Sequence, residues 1–347
     1  MPSRMPATAQ PRINLALQGG GAHGAFTWGV LDALLADGRV GFEGISGTSA
    51  GAMNAIALAD GWLKGGADGA RQSLADFWLA IADSSPFSSQ GDDSDSPPTA
   101  LKLMLGWTDY LTPEQLNPLD LNPLRDIVTA HFDFAALRRD TRHKLFIAAT
   151  HANTGKLRLF RNAELSAEAL LASACLPMLH RTVIIDGESY WDGGYSANPA
   201  VFPLLFECQA EDNLLVLLTP LHLGATPSTA PDTRHRLREM SFNATFLREM
   251  RMFAHLREHI RPDRIPAWLR RWLPESTLDR RIGAARFHAI SAEALMHALP
   301  ADSKLTVNRS FFLRLRDQGR AHAQGWLAEN HAAIGQRSTL DLARAFY

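Results

Sequence analysis

Apolar residues near the start of the chain switch between two spacings. The run INLALQ (Ile13–Gln18) is short, apolar and followed by glycines, the pattern of a buried strand. Beyond Gly19–Gly21, residues Phe26, Val30, Leu31, Leu34 and Leu35 fall at helical spacing, and Gly38 marks that helix's C-terminus. A brief strand over Phe42–Ser46 then enters Gly47-Thr48-Ser49-Ala50-Gly51, and a helix of small residues, AMNAIALADGW, leaves it. Strand, helix, strand, helix is the rhythm of a parallel sheet covered on both faces. Further along, KLFIAATHANTG and LRLF predict a strand pair and Ser166–Ala174 a helix. TVIIDGESYWDGG predicts two short strands about a glycine turn, the turn taken over Gly187-Glu188-Ser189, and NLLVLLT another buried strand. Phe242, Phe246, Met250, Phe253, Leu256 and Ile260 recur at helical spacing, giving an apolar face opposite a basic one. The expectation is an α/β protein with a mostly parallel sheet over residues 1–225 and a mainly helical region over 226–347 packed on it.

Composition adds limits. Of 347 residues 46% are hydrophobic and 20% charged, ordinary for a globular chain with a real core. The net charge of −1 gives no overall attraction to nucleic acid, but it is unevenly spread. Between Arg234 and Arg286 stand thirteen arginines, no lysine and six acidic residues, a local charge of +7. Two readings follow: a packing helix with a solvated basic face, or an element that docks on a membrane surface. From Asp83 to Thr99 six serines, four aspartates and three prolines occur without one basic residue. That composition predicts a mobile loop, either a spacer or a lid. Two cysteines, Cys175 and Cys208, are too few for a disulfide framework. The first residues hold no apolar segment of a secretory signal, and LLVLLTPLHL is far shorter than a membrane span. A soluble, cytoplasmic protein is expected.

The chemistry starts at Ser49. G-x-S-x-G between a strand and a helix is the form of a nucleophile elbow, and a serine needs a base to become nucleophilic. GGGAHG (Gly19–Gly24) has two readings. As G-x-G-x-x-G it fits a dinucleotide site, which wants an acidic residue at the end of the second strand. Ser46-Gly47-Thr48-Ser49 stand there instead, with Glu43 at the strand's beginning. The other reading is an oxyanion hole, where glycine amides and the dipole of the following helix stabilise a developing alkoxide. His288 and His297 come late enough to complete a hydrolase triad, and HLREH (His255–His259) matches an inverted zinc motif, without an evident third ligand.

The Gly19–Gly21 run, GTSAG and DGG at Asp192–Gly194 are more specific together than singly. Their combination resembles the patatin-like phospholipase family, through ASACLP (Ala172–Pro177), IIDGESYWDGGYSANP and the NPL stretches near Leu119 and Leu124, over roughly Ile13 to Thr219. The resemblance implies a three-layer α/β/α fold and lipid acyl hydrolysis by a Ser–Asp dyad. Ser49 would be the nucleophile and Asp192 its base, with no histidine, metal or organic cofactor. Gly19, Gly20, Gly21 and Ala50 are expected at the oxyanion hole, and Gly24, Gly47, Gly51, Gly193 and Gly194 as the elbow and motif glycines. The implied partner is a lipid or other acyl ester, with peripheral membrane contact through the basic helices and no nucleic acid. Where the family often has arginine or lysine, this chain has His23. Asp186 also precedes a glycine and is expected to be a turn residue.

Overall fold

The apolar strands join in one eight-stranded sheet in a computed structural model, which describes residues 10–84, 95–97, 111–259, 277–300 and 302–347. The strands are β1 (Arg12–Leu17), β2 (Gly41–Thr48), β3 (Lys144–His151), β4 (Leu157–Arg161), β5 (Val183–Ile185), β6 (Glu188–Asp192), β7 (Asp212–Leu217) and β8 (Arg286–Ser291). Their order is β5-β6-β3-β2-β1-β7-β8, with β4 also on β3. The β3-β2-β1-β7-β8 run is parallel, while β4 and β6 lie antiparallel to β3.

Alternation along the strands builds two cores. Ile13, Leu15, Leu17, Leu214 and Val216 face one core with helices α1 (Gly24–Asp37), α2 (Ala50–Asp83) and the Arg309–Asn330 helix. Ala16, Leu215, Leu217 and Phe287 face the other, with the Phe202–Glu207 and Ala230–His259 helices and Phe346. The expected three-layer α/β/α arrangement is therefore present, and strands buried on both faces explain the near-continuous apolar runs.

Several elements depart from the sequence reading. β8 lies beyond residue 225 and pairs in parallel with β7, so the sheet crosses the expected boundary. α2 runs far past Trp62 and bends where Gly65 and Gly66 leave helical geometry. The hairpin turn is Asp186-Gly187, at φ 52° and 82°, so Glu188 and Ser189 belong to β6 rather than to the turn. Positive φ at both positions is what a two-residue turn with matching twist requires, and Asp-Gly supplies it. Most of the expected mobile segment lies outside the described residues. Asp95–Pro97, which is described, is tied down: Thr306 Oγ1 donates to the Asp95 carbonyl at 2.9 Å, Arg314 pairs with the Asp95 carboxylate, and Pro97 is buried. Among the described residues no helix is long and apolar enough to cross a membrane.

Register places two strand ends together. β2 and β4 overlap along β3 at Phe146–Ala148, so they occupy opposite edges. β4 and β6 overlap at Ala149 and Thr150, so β6 lies on the β2 edge. On that shared edge β2 ends at Thr48, opposite Ala148, and β6 ends at Asp192, opposite Ala149. The two strands arrive head to head.

The Ala230–His259 helix is fastened over this end of the core. Phe246, Met250 and Phe253 are buried, and the Glu249 carboxylate accepts from Val201 N at 3.1 Å and Phe202 N at 2.6 Å. Burial pushes the Glu249 carboxyl up to about 7, against the pull of those amides. A carboxyl with a higher pKa folded than unfolded holds its proton in the folded state alone across the intervening pH range. Stability should therefore fall as pH rises from about 4.5 to about 7. Urea midpoints of Glu249→Gln should show a shallower decline over that window than wild type.

Candidate active site

Ser49 sits between β2 and α2 at φ 54°, ψ −122°, a conformation costing about 1–3 kcal/mol for a non-glycine residue. Neighbours hold it there. Thr48 Oγ1 donates to the Ala197 carbonyl at 2.8 Å, and the Ser49 amide donates to Ser173 Oγ at 3.0 Å. Gly51 is pressed against the end of β1, where a Cβ would meet Leu17 O at 2.1 Å. Gly47 backs onto Gly51, and Gly24 abuts Ala50. The serine remains partly exposed.

The glycine loop leaves β1 alongside this elbow. Gln18, fully buried, accepts from the amides of Leu218 (2.6 Å) and Thr219 (2.8 Å) and donates to Asn243 Oδ1 (3.1 Å) and the Asn198 carbonyl (3.3 Å). Asn198 in turn accepts the Gly19 amide on Oδ1 at 2.7 Å. Gly19 thus departs from its expected role, because its one N–H is already committed. The amides of Gly20, Gly21 and Ala50 find no acceptor among the described residues. Gly21 takes φ 58°, with Lys304 O where a side chain would go.

His23 Nε2 lies 2.8 Å from Ser303 Oγ. Burial and the nearby Lys304 cation depress its pKa to about 3, so the imidazole is neutral. Lys304 is itself paired with Glu239 at 3.2 Å.

Asp192 is 1% exposed. Its amide donates to Cys175 O at 2.7 Å, its carbonyl accepts Thr150 Oγ1 at 2.8 Å, and its carboxylate accepts the Gly194 amide at 2.7 Å. Gly193 packs on Ala148, completing the bend. No cation pairs with this carboxylate among the described residues. Burial pushes it up to about 7, opposed by the Gly194 amide and by the Ser49 hydroxyl. The structure therefore brings Ser49, Asp192 and the glycine loop together at the C-terminal ends of the parallel strands.

The rival groups lie elsewhere. His288 Nε2 is 3.0 Å from Asp212, and its Nδ1 is 2.9 Å from Thr339 Oγ1. Asp212 opens β7 opposite Ile13, at the other end of the sheet from Ser49. His297 is exposed. His255 and His259 are exposed on the long helix, with ring centroids 4.3 Å apart. Glu43 accepts the amides of Gln209 (2.9 Å) and Ala210 (2.8 Å), remote from the Gly19–Gly24 loop. The dinucleotide reading is left without its acid.

A profile of the patatin-like phospholipase family matches residues 15–205, more than half of the chain. The chain belongs to this family. Membership in the patatin-like phospholipases makes it a lipid acyl hydrolase in the broad sense. No curated protein matches it. Among solved structures it is similar to VipD from Legionella pneumophila, with 15% identity, a TM-score of 0.42, and coverage of 93% of this chain and 67% of that one. Ser49 and Asp192 fall inside the patatin-like match, whereas Phe242, whose ring lies against Gly194, falls outside it.

The sequence reading gave no role in the site to Gln18, Ser173 or Asn198, and placed Phe242 only on the apolar face of a helix. Ser173 and Asn198 stand within ASACLP and YSANP, so the signal was present in those blocks without a stated role. Removing the Asn198 acceptor orphans a buried amide, which costs about 1–3 kcal/mol. Asn198→Ala should lower the urea midpoint by a corresponding amount, and Asn198→Asp, which keeps an acceptor, by less.

Proposed function

We propose that Ser49 is the nucleophile and Asp192 its general base in hydrolysis of carboxylic esters of lipids. Ser49 attacks the ester carbonyl as its proton passes to the Asp192 carboxylate. The amides of Gly20, Gly21 and Ala50 hold the resulting oxyanion, each such donor typically contributing about 10²–10³ in rate. Collapse expels the alcohol, which takes the proton back from Asp192 and leaves an acyl ester on Ser49. Asp192 then deprotonates a water that attacks the acyl carbonyl, and the returning proton frees Ser49.

One observation carries this reading: strand register brings Asp192 beside Ser49, where its carboxylate is buried, pairs with no cation among the described residues, and is pushed by burial to about 7. A base of that strength is well matched to neutral pH. Because the carboxyl must be ionised to accept the serine proton, kcat/KM should rise with pH through about 7. A fluorophosphonate should label wild type and not Ser49→Ala. Loss of the base should cost about 10²–10⁴ in turnover for Asp192→Asn. Asp186→Asn, altered only at the hairpin tip, should retain turnover, and no single histidine replacement should reproduce the Asp192→Asn loss. A histidine variant as inactive as Ser49→Ala would overturn the dyad.

The same proposal includes contact of the Ala230–His259 helix with an anionic lipid surface. Leu237 and Met240 are 57% and 51% exposed, beside exposed Arg234 and Arg238. An apolar pair flanked by cations suits the boundary between headgroups and acyl chains. Binding to phosphatidylserine-containing vesicles should weaken steeply with salt, since screening acts within about 8–10 Å. Equal binding to neutral vesicles would return the basic face to a purely solvated role.

A further inference from the structure

We infer that Phe242 is a positioning residue for Asp192: the Ala230–His259 helix lays its ring over the DGG bend and keeps water from the carboxylate. This rests on the reading of Asp192 as base and assigns part of the site to a helix outside the family match.

The bend cannot cover itself. Gly193 and Gly194 carry no side chains, and Asp192 ends a strand beside a partly exposed serine, yet it is 1% exposed. Phe242 is placed to supply cover. A Cβ on Gly194 would lie 2.2 Å from the Phe242 ring and 3.1 Å from Asp192 Oδ1, so ring and carboxylate flank the same point. The ring also packs on Tyr195 at 4.5 Å between centroids, and the two aromatics form a continuous roof. The helix is held in place by Asn243 on Gln18, Glu249 on the Val201 and Phe202 amides, and Glu239 on Lys304.

The polar groups that face Asp192 are few. The Ser49 hydroxyl and Gly194 amide favour its charged form. The Cys175 thiol and Tyr195 phenol are neutral neighbours, both pushed upward by burial and by the Asp192 charge. Arg238, one helical turn before Phe242, acts on Tyr195 from the solvent side. With no cation bonded to the carboxylate, exclusion of water is the effect that makes it basic. Opening the roof should hydrate Asp192, lower its proton affinity and weaken it as a base.

The test is the pH dependence of kcat and kcat/KM on a soluble short-chain p-nitrophenyl ester, for wild type, Phe242→Leu and Phe242→Ala. In Phe242→Ala the acid limb should move down by about one pH unit or more, as expected when a buried carboxyl regains water. kcat should fall about tenfold, as a weaker base predicts, with KM nearly unchanged. Phe242→Leu, which restores an apolar cover, should recover most of both. If Phe242→Ala does not fold, Phe242→Val must shift the limb in the same direction by less. An acid limb that stays in place, whether or not kcat or KM changes, would overturn the inference. Normal turnover in Asp192→Asn would instead mean that the reading of Asp192 as base has failed.

Discussion

Two strands share one edge of β3, and the site depends on that constraint. β2 runs parallel to β3 and stops at Ala148; β6 runs antiparallel and stops at Ala149. Backbone hydrogen bonding alone therefore delivers the residue after β2 and the last residue of β6 to one place. Neither side chain has to reach. Strand pairing fixes position far more stiffly than a loop does, which suits chemistry sensitive to small displacements.

The loops around this junction are locked by buried amides and hydroxyls rather than by ion pairs. Gln18 satisfies four partners from three segments of the chain, Asn198 holds Gly19, and Ser173 receives the Ser49 amide. Neutral groups of this kind orient the backbone without adding charge near Asp192. A lysine or arginine bonded to that carboxylate would pull its pKa down. The neutral state of His23 fits the same electrostatic pattern.

Much of this was legible in the sequence where local rules govern. INLALQ, the elbow and the small-residue helix follow from periodicity and turn chemistry, and Gly38 ends α1 in the left-handed conformation expected of a C-terminal glycine. The expected pairing of Ser49 with Asp192 came from family resemblance, because register across 142 intervening positions leaves no periodic trace. β8 was missed since RFHAIS lies beside an arginine-rich stretch and carries a buried histidine whose partners, Asp212 and Thr339, are distant in sequence. Phe242 looked like one more apolar position on an amphipathic helix. Only packing reveals that, unlike Phe246 and Phe253, its ring lies against Gly194 of the DGG bend.

The outermost position of β8 has a consequence for biosynthesis. Every residue of β7 is buried in the finished protein, and β8 covers its outer edge. Until residue 291 has left the ribosome, the parallel sheet ends in a bare, apolar strand whose amides and carbonyls invite pairing with another chain. A fragment trimmed to residues 15–205 would be worse placed, since it lacks β7 as well and exposes β1, the strand from which the glycine loop emerges. The portion of the chain that carries the family's signature is thus not a portion that can close its own sheet.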